Sequence, residues 1–229
     1  ALPAVPEEVL SLPGVHYGIF TNGAVVRDFG KNTWVSESCL SWEETIRVIE
    51  VLRRHPVIYD MYVSEGGVSE TRLLAQLEEY GIPERECAYI RATRRAVTDM
   101  VEYLREKKCP VQKMNLNFKD RESKQAVRAK LEAMPEVLVT SSLPWNLELN
   151  AAGITKGSGL RNLCQYLGIE AEETMAFGDG ENDWPMLEAA GIGVAMENGA
   201  PFLKERADRI AASNREEGVA EAIRQWVLI

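Results

Sequence analysis

Short apolar runs alternate with helix-forming segments in the C-terminal part of the chain, and this alternation limits the possible fold more than any other feature. The runs have the length of buried strands and lie at Thr174–Phe177, Ile192–Met196 and Arg209–Ala212. Segments with helical periodicity follow them and are predicted at 184–190, 201–207 and 218–227. Strands that alternate with helices form parallel sheets, because each helix crosses back over the sheet. The sequence therefore predicts an α/β fold, with another helix before these strands at 156–167.

The middle of the chain has a different pattern. Helices are predicted at 42–54, 69–80, 99–107 and 120–134. Strands with partial alternation of apolar and polar residues are predicted at 57–63, 111–118 and 137–141. This mixture indicates an α+β unit, and we predict three segments: the first part of an α/β core at 1–31, the α+β unit at 32–146, and the rest of the core at 147–229.

Composition narrows the functional classes. The chain has 229 residues and a formal net charge of −9, so it lacks the broad positive charge that binds nucleic acid. The four cysteines form no CxxC pair, which argues against a zinc site and fits the reducing cytoplasm. No apolar run reaches the roughly 18 residues of a membrane helix. We therefore expect a cytoplasmic protein with no nucleic-acid or membrane partner, as a monomer or a homodimer.

The acidic loop Gly178-Asp179-Gly180-Glu181-Asn182-Asp183 is the strongest candidate for chemistry. It follows a predicted strand, and ligands of open α/β sheets lie beyond the carboxyl ends of strands. Carboxylate and amide oxygens suit Mg²⁺. The alternative is a polar turn in which the Asp183 side chain caps the next helix. A calcium EF-hand loop is excluded, because its required glycine and glutamate positions hold Trp184 and Ala190.

Two weaker motifs accompany this loop. Lys156-Gly157-Ser158-Gly159 begins a predicted helix, where a lysine beside free backbone N–H groups can bind phosphate. A solvated surface lysine is the simpler interpretation of that segment. Thr21-Asn22-Gly23-Ala24 lies between two apolar runs and by itself indicates a β-hairpin turn.

Taken in order, these motifs resemble the haloacid dehalogenase (HAD) superfamily, and specifically its Cof-type, or subfamily IIB, phosphatases. The similarity runs from about Leu12 to the C-terminus and also includes Ala207-Asp208-Arg209-Ile210 and Glu217-Gly218-Val219. It implies a Rossmann-like parallel sheet core, incomplete at the N-terminus in this chain, with an inserted α+β cap domain of the C2 type.

The resemblance also implies a reaction and roles for individual residues. In the family, an aspartate attacks phosphorus to form an aspartyl-phosphate, which water hydrolyses, with Mg²⁺ as cofactor. Carried over, Lys156, Asp179 and Asp183 are the expected catalytic residues. Asp179 and Asp183 are the expected metal residues, and the expected substrate-binding residues are Asn22, Gly23, Lys156 and Asn182.

The chain lacks two motifs of the family. The family begins with Asp-x-Asp-Gly-Thr on the central strand, followed by a Thr-Gly-Arg segment, and this sequence has no aspartate before Asn22. We expect that the nucleophile lies in a segment absent from this chain and that the chain by itself is inactive. Without those two strands, Tyr17–Phe20 is predicted to have no neighbour linking it to Thr174–Phe177.

Three functions follow. The first is a magnesium-dependent phosphatase for a small phosphorylated metabolite, such as a sugar phosphate. The second is a phosphomutase of the same superfamily, which shares the metal motif. The third is a non-catalytic binding protein derived from this fold; the missing nucleophile favours it, whereas the retained Lys156, Asp179, Asn182 and Asp183 argue against it.

Overall fold

The computed structural model describes residues 5–228. In the N-terminal part, the short helix α1 (Glu7–Leu10) precedes a three-stranded antiparallel sheet. Its strands lie side by side in chain order: β1 (Tyr17–Phe20), β2 (Val25–Asp28) and β3 (Thr33–Glu37). Phe20 pairs with Val25, so residues 21–24 form the connection of a β-hairpin, as the Asn-Gly pair predicts.

The middle of the chain forms a six-stranded mixed sheet with helices. In chain order its elements are α2 (Trp42–Leu52), β4 (Val57–Val63), β5 (Gly66–Glu70), α3 (Thr71–Leu74), α4 (Glu84–Thr93), β6 (Arg94–Val97), α5 (Met100–Lys107), β7 (Lys113–Phe118), α6 (Arg121–Glu132), β8 (Val137–Thr140) and β9 (Asn146–Ala151). The strands are ordered β6-β5-β4-β7-β9-β8. All pairs are antiparallel except β5 with β6.

One hydrophobic core fills the space between this sheet and its helices. It joins Ile49, Leu104 and Leu131 on the helices to Met114 and Leu147 on the central strands. Side chains alternate between the two faces of a strand, so the other face of β7 carries the half-buried polar residues of that strand, Lys113, Asn115 and Asn117. The six-stranded sheet therefore has one apolar face and one polar face.

The C-terminal part forms a three-stranded parallel sheet. After α7 (Lys156–Leu167) come β10 (Met175–Gly178), α8 (Trp184–Ala189), β11 (Ile192–Met196), α9 (Pro201–Arg206), β12 (Arg209–Ala211) and α10 (Gly218–Trp226). The order β10-β11-β12 with parallel pairing confirms the α/β prediction. The Gly178–Asp183 loop leaves the carboxyl end of β10, where ligands of such sheets bind.

Most of the sequence-based elements agree with the structure, but one predicted helix is wrong and the elements β3, α4 and β9 were not predicted. The helix at 156–167 and the strand at 57–63 are confirmed at both ends. The helix predicted at 69–80 is wrong: residues 66–70 form β5, and only 71–74 are α-helical. The strands β5 and β6 were missed because Gly66, Gly67 and a buried arginine, Arg94, break the apolar pattern of a strand.

The sheets extend across both predicted segment boundaries. β3 continues the N-terminal sheet to Glu37, beyond the boundary predicted between 31 and 32. β9 pairs with β7 and β8 up to Ala151, beyond the boundary predicted between 146 and 147. The division into core, cap and core remains a prediction, and the registered strand pairs of the six-stranded sheet end at Ala151.

The two small sheets are not joined to each other. Within residues 5–228, β1 pairs only with β2, and β10 pairs only with β11. Helix α7 contacts β1, β2, β3 and α8, and so links the N-terminal sheet to the C-terminal one. The separation agrees with the prediction that strand Tyr17–Phe20 has no neighbour leading to β10.

Candidate active site

Lys156 occupies the first position of α7, and the local sequence fixes that helix start. The Thr155 hydroxyl accepts a hydrogen bond from the Ser158 N–H at 3.0 Å, while the Ser158 hydroxyl accepts one from the Thr155 N–H at 2.9 Å. This reciprocal capping box satisfies donors that the helix leaves free. The Lys156 side chain therefore leaves a rigid position, and it remains 29% exposed.

The Lys156 ammonium forms an ion pair with Asp183 Oδ1. The other Asp183 oxygen accepts hydrogen bonds from the backbone N–H groups of Asp179 and Gly180, each at 2.9 Å. The prediction that this side chain caps the next helix is wrong, because it makes no hydrogen bond to α8. Asp183 has helical backbone angles (φ −85°, ψ −25°) rather than the extended angles of a capping residue, and its carboxylate accepts from the loop instead.

Asp179 is exposed at the carboxyl end of β10. The Asn198 side-chain amide donates to its Oδ2 at 3.3 Å, and its backbone oxygen accepts from the Ala200 N–H at 2.9 Å. The loop after β11 therefore holds Asp179 in place while its other carboxylate oxygen, Oδ1, carries no protein hydrogen bond among the described residues. An exposed, oriented carboxylate of this kind suits a hard cation.

Glycines bring the hairpin connection against the start of α7. Gly23 has a φ of +96°, and a Cβ there would lie 1.9 Å from the Thr155 carbonyl oxygen. A Cβ on Gly159 would lie 2.9 Å from Gly23 Cα. Thr21 and Asn22 also have positive φ, 48° and 59°, which non-glycine residues adopt rarely. The Asn-Gly pair is thus both a hairpin turn and a close contact with the Lys156 helix.

The Asn22 side chain contacts Glu148 of β9. Its amide donates to Glu148 Oε2 at 2.7 Å and to Asn150 Oδ1 at 3.1 Å. The Asn182 amide donates to the same Glu148 oxygen at 3.2 Å and to Asn22 Oδ1 at 3.4 Å. Two predicted substrate residues, Asn22 and Asn182, are therefore brought together on a buried carboxylate from the six-stranded sheet.

Glu148 is a candidate functional residue that the sequence reasoning missed. Burial would raise the pKa of its carboxyl, yet the Lys113 ammonium at 3.3 Å and hydrogen bonds from Asn22 and Ser142 lower that pKa below its ordinary value. Glu148 is therefore an anion at neutral pH. The available signal was the alternation Asn146, Glu148, Asn150, which places three polar side chains on one face of β9.

A second contact joins the acidic loop to the six-stranded unit. Arg128 on α6 donates to Glu181 Oε1 at 2.8 Å and to Glu132 at 2.8 Å. The middle of the acidic loop is thus bound by Arg128 through Glu181 and by Glu148 through Asn182. The six-stranded unit thus supplies an arginine and a carboxylate that fix the position of this loop.

The described residues include some of the donors that a magnesium site would need. No cluster of three or more histidine, cysteine or acidic side chains suited to a metal occurs in residues 5–228. Asp179 fits a ligand role, whereas both oxygens of Asp183 are engaged by Lys156 and backbone N–H groups. The chemistry of the donors therefore fits Mg²⁺ with one direct carboxylate from this chain.

A lysine–aspartate pair and an exposed carboxylate thus lie beyond the strands of a parallel α/β sheet and face an α+β unit. A sequence model of the haloacid dehalogenase-like hydrolases matches residues 5–223. The chain belongs to this family.

Two curated relatives are named as phosphatases. The chain is 42% identical over 116 residues to a 5-amino-6-(5-phospho-D-ribitylamino)uracil phosphatase of Bacillus subtilis, a match that covers 51% of this chain and 47% of the relative. It is 40% identical over 96 residues to a phosphoglycolate phosphatase of Methanosarcina acetivorans, covering 42% of each. The chain thus spans about half or less of the length of these relatives.

Solved structures share the fold over nearly the whole chain. A haloacid dehalogenase-like hydrolase from B. subtilis superposes with a TM-score of 0.82 at 24% identity, covering 96% of this chain and 84% of that one. A haloacid dehalogenase-like hydrolase from Bacteroides thetaiotaomicron gives 0.74 at 29% identity, covering 91% and 76%. A HAD subclass IIB sugar phosphatase gives 0.75 at 24% identity, covering 94% and 77%. These likenesses confirm the predicted Rossmann-like core with a cap.

No helix in the part of the chain that the structure describes is long and apolar enough to span a membrane.

Proposed function

We propose that this chain is part of a magnesium-dependent phosphatase that hydrolyses a small phosphorylated metabolite, such as a sugar phosphate. The observation that carries this proposal is the arrangement of Lys156, Asp183 and Asp179 at the carboxyl end of β10, in a chain of a hydrolase family. The names of the curated relatives support the reaction type.

In the proposed reaction, the Lys156 ammonium binds the transferring phosphoryl group and offsets its negative charge. Asp183 orients the ammonium through the ion pair and is itself fixed by two backbone N–H groups. The Lys156–Asp183 pair is therefore preorganised before substrate enters. We assign Asp183 a positioning role and Asp179 the role of metal ligand.

Magnesium, when bound, supplies positive charge between the phosphate oxygens and the carboxylates. Asp179 would hold it from this chain. The nucleophilic aspartate that accepts the phosphoryl group lies, in this proposal, outside the residues of the chain. Two strands carrying it would fill the space between β1 and β10, the edges that carry no strand partner among residues 5–228.

The polar face of the six-stranded sheet suits a substrate rich in hydroxyl groups. Arg94 Nε donates to Asp60 Oδ2 at 2.7 Å, and the Asn115 amide donates to Asp60 Oδ1 at 2.9 Å. Tyr62 accepts from Arg94, whose guanidinium also lies 4.7 Å from the centre of the Tyr62 ring. Because these polar groups are hydrogen-bonded to one another, they are rigid. They would recognise the hydroxyl groups of a substrate through the geometry of hydrogen bonds rather than through net charge.

Asn22 and Asn182 would contact the substrate where the cap and core surfaces meet. Their amides already converge on Glu148, so both side chains are held at the edge of the site. Gly23 contributes by letting the hairpin approach α7 closely. The four cysteines are all free thiols, which supports our proposal of a cytoplasmic location.

The test is an intact mass of the natural protein together with p-nitrophenyl phosphate hydrolysis, measured with and without Mg²⁺. We expect a mass above 25.6 kDa and hydrolysis that requires the metal. A natural protein of 25.6 kDa that shows no hydrolysis at any metal concentration would contradict the proposal.

A further inference from the structure

A cation-lined cavity lies on the α6 side of the six-stranded unit, outside the residues assigned above to the reaction. Its volume is about 580 Å³, within the range of small-molecule sites. Four cations line it: Lys119, Arg121, Lys124 and Arg128. Phe118, Pro144 and Trp145 supply apolar wall, and Asp120 is the acidic residue of the lining.

The acidic residue of the lining is already engaged. Asp120 caps α6, accepting hydrogen bonds from the Ser123 N–H at 2.7 Å and from the Ser123 hydroxyl at 3.0 Å. Lys119 forms only an exposed ion pair, with Glu79 at 3.3 Å. Arg121 forms no ion pair among residues 5–228. The cavity of this acidic protein therefore presents net positive charge to a ligand.

Hydrogen bonds hold Lys124 and Arg128 in the cavity wall, and only Arg128 is paired with a carboxylate. The Lys124 ammonium donates to Ser141 Oγ and to the carbonyl oxygens of Leu143 and Pro144, at 3.0, 3.3 and 2.9 Å. These partners are neutral, and Lys124 forms no ion pair within residues 5–228. Burial lowers the pKa of Lys124, and the neighbouring Arg128 lowers it further. A bound anion would relieve this repulsion.

The cavity adjoins the candidate active site at two points. Arg128 in its lining is bonded to Glu181 of the acidic loop at 2.8 Å. Lys124 is bonded to Ser141, and the adjacent Ser142 donates to Glu148 at 3.0 Å. The contacts of Arg128 and Lys124 thus connect the cavity wall to the acidic loop and to the strand that carries Glu148.

We propose that this cavity binds a second anionic group of the substrate, a carboxylate or a second phosphate, at the end remote from the scissile phosphoester. The inference rests on the proposed phosphatase function, because that function places the first phosphate at Lys156. It narrows the substrate class to phosphate monoesters with two anionic ends. Arg121, Lys124 and Arg128 are specificity residues in this proposal, and Trp145 packs against the body of the ligand.

The test is isothermal titration calorimetry of the natural protein with two matched pairs of probes. Glucose 6-phosphate is compared with 6-phosphogluconate, which adds a carboxylate, and fructose 6-phosphate with fructose 1,6-bisphosphate, which adds a phosphate. We expect the doubly anionic member of at least one pair to bind about tenfold more tightly. The pair that discriminates identifies the anionic group. Equal affinities in both pairs, or no binding of any probe, would overturn the inference.

Variants separate the cavity from the reaction site. Arg121→Gln with Lys124→Gln removes two charges while keeping the Arg128–Glu181 ion pair, and it should abolish the preference. Arg121→Gln alone changes an exposed residue and should reduce the preference for the doubly anionic probe severalfold. This single variant tests the inference even if the double variant folds poorly. Lys130→Gln, on α6 but outside the cavity, is the matched control.

Hydrolysis of p-nitrophenyl phosphate, which has one anionic end, distinguishes this inference from the proposed function. Both cavity variants should retain at least half of the wild-type kcat/KM for this substrate. An equal loss of kcat/KM for p-nitrophenyl phosphate and for the doubly anionic substrates would overturn a role of the cavity in binding the remote anion. Absence of hydrolysis in the wild type, with the binding preference intact, would contradict the phosphatase proposal alone.

Discussion

Asn22 Nδ2 lies 2.7 Å from Glu148 Oε2, joining a hairpin of the N-terminal sheet to a strand of the six-stranded sheet 126 residues later in the chain. Asn182 of the acidic loop donates to the same oxygen. One buried carboxylate thus holds three distant segments together at the candidate site. Its removal should affect both stability and the positions of two proposed substrate contacts.

The first prediction concerns Glu148→Gln. The substitution keeps the shape of the side chain but leaves the half-buried Lys113 without its anion, so we expect a loss of about 3 kcal/mol in the free energy of unfolding at pH 7. Urea denaturation measures this loss. Glu50→Gln, at an exposed position on α2, is the control and should change stability by less than about 0.5 kcal/mol.

The thermal stability of the wild type and that of Glu148→Gln should also depend differently on pH. The pKa of Glu148 in the folded state lies below its ordinary value of 4.5. The carboxylate therefore stabilises the fold above that value, and the stabilisation is lost as the pH falls through the folded-state pKa. The difference in Tm between wild type and Glu148→Gln should narrow between pH 6 and pH 3. A difference that is constant over this range would contradict the assignment.

The second prediction concerns Lys156. Lys156→Met removes the ammonium proposed to bind the phosphoryl group, so kcat/KM for p-nitrophenyl phosphate should fall by about 100-fold or more in the natural protein. Lys204→Met is the control, because Lys204 pairs with the exposed Glu197 and should leave activity unchanged. A Lys156→Met variant that retains wild-type activity would remove Lys156 from the reaction.

The third prediction concerns Gly23. Gly23→Ala places a Cβ 1.9 Å from the Thr155 carbonyl oxygen at a φ of +96°, and we expect a loss of stability of about 3 kcal/mol. Gly153→Ala is the matched control: its φ is +77°, but nothing lies within 4 Å of the added atom. Strain alone should cost about 1 kcal/mol there. Equal losses would show that the hairpin does not pack closely against α7.

The fourth prediction concerns the metal. Chelation with EDTA should abolish hydrolysis by the natural protein, and added Mg²⁺ should restore it. Asp179→Asn weakens the proposed ligand, so the Mg²⁺ concentration for half-maximal activity should rise about tenfold or more. Glu197→Gln, a nearby exposed acid, is the control and should leave this concentration unchanged. The same outcome for both variants would remove Asp179 from the metal site.

Local signals were sufficient for the helix that carries Lys156, a residue proposed to act in the reaction. The helix at Lys156 has a capping box before it, periodic apolar residues within it and Gly168 after it, and its bounds were predicted correctly. The glycines of this segment have a physical reason that the structure supplies: a Cβ on Gly157 would lie 2.0 Å from the Pro185 carbonyl oxygen. The close packing of α7 against α8 depends on the tertiary structure, and no local sequence pattern predicts it.

The cap contributions could not be predicted in the same way. Glu148 in an alternating strand has the pattern of a solvent-facing residue, and only the approach of Asn22 and Asn182 makes it part of a site. Arg128 lies on a polar-faced helix, where an arginine is ordinarily solvated, until α6 meets Glu181. Both side chains acquire their roles from contacts between distant segments, which a single sequence does not reveal.

Gln112, immediately before β7, makes a hydrogen bond near each of the two places where the chain enters and leaves the six-stranded unit. Its side chain donates to Glu37, where the chain enters, at 3.0 Å, and its carbonyl oxygen accepts from Asn150, where the chain leaves, at 2.9 Å. A rotation of the six-stranded unit about Gln112 would move the far end of β7 most, because β7 runs about 20 Å from Gln112 to Phe118 at the cavity. A turn of about 10° would displace Phe118 by about 3.5 Å and would so change the size of the cavity proposed to bind the remote anion.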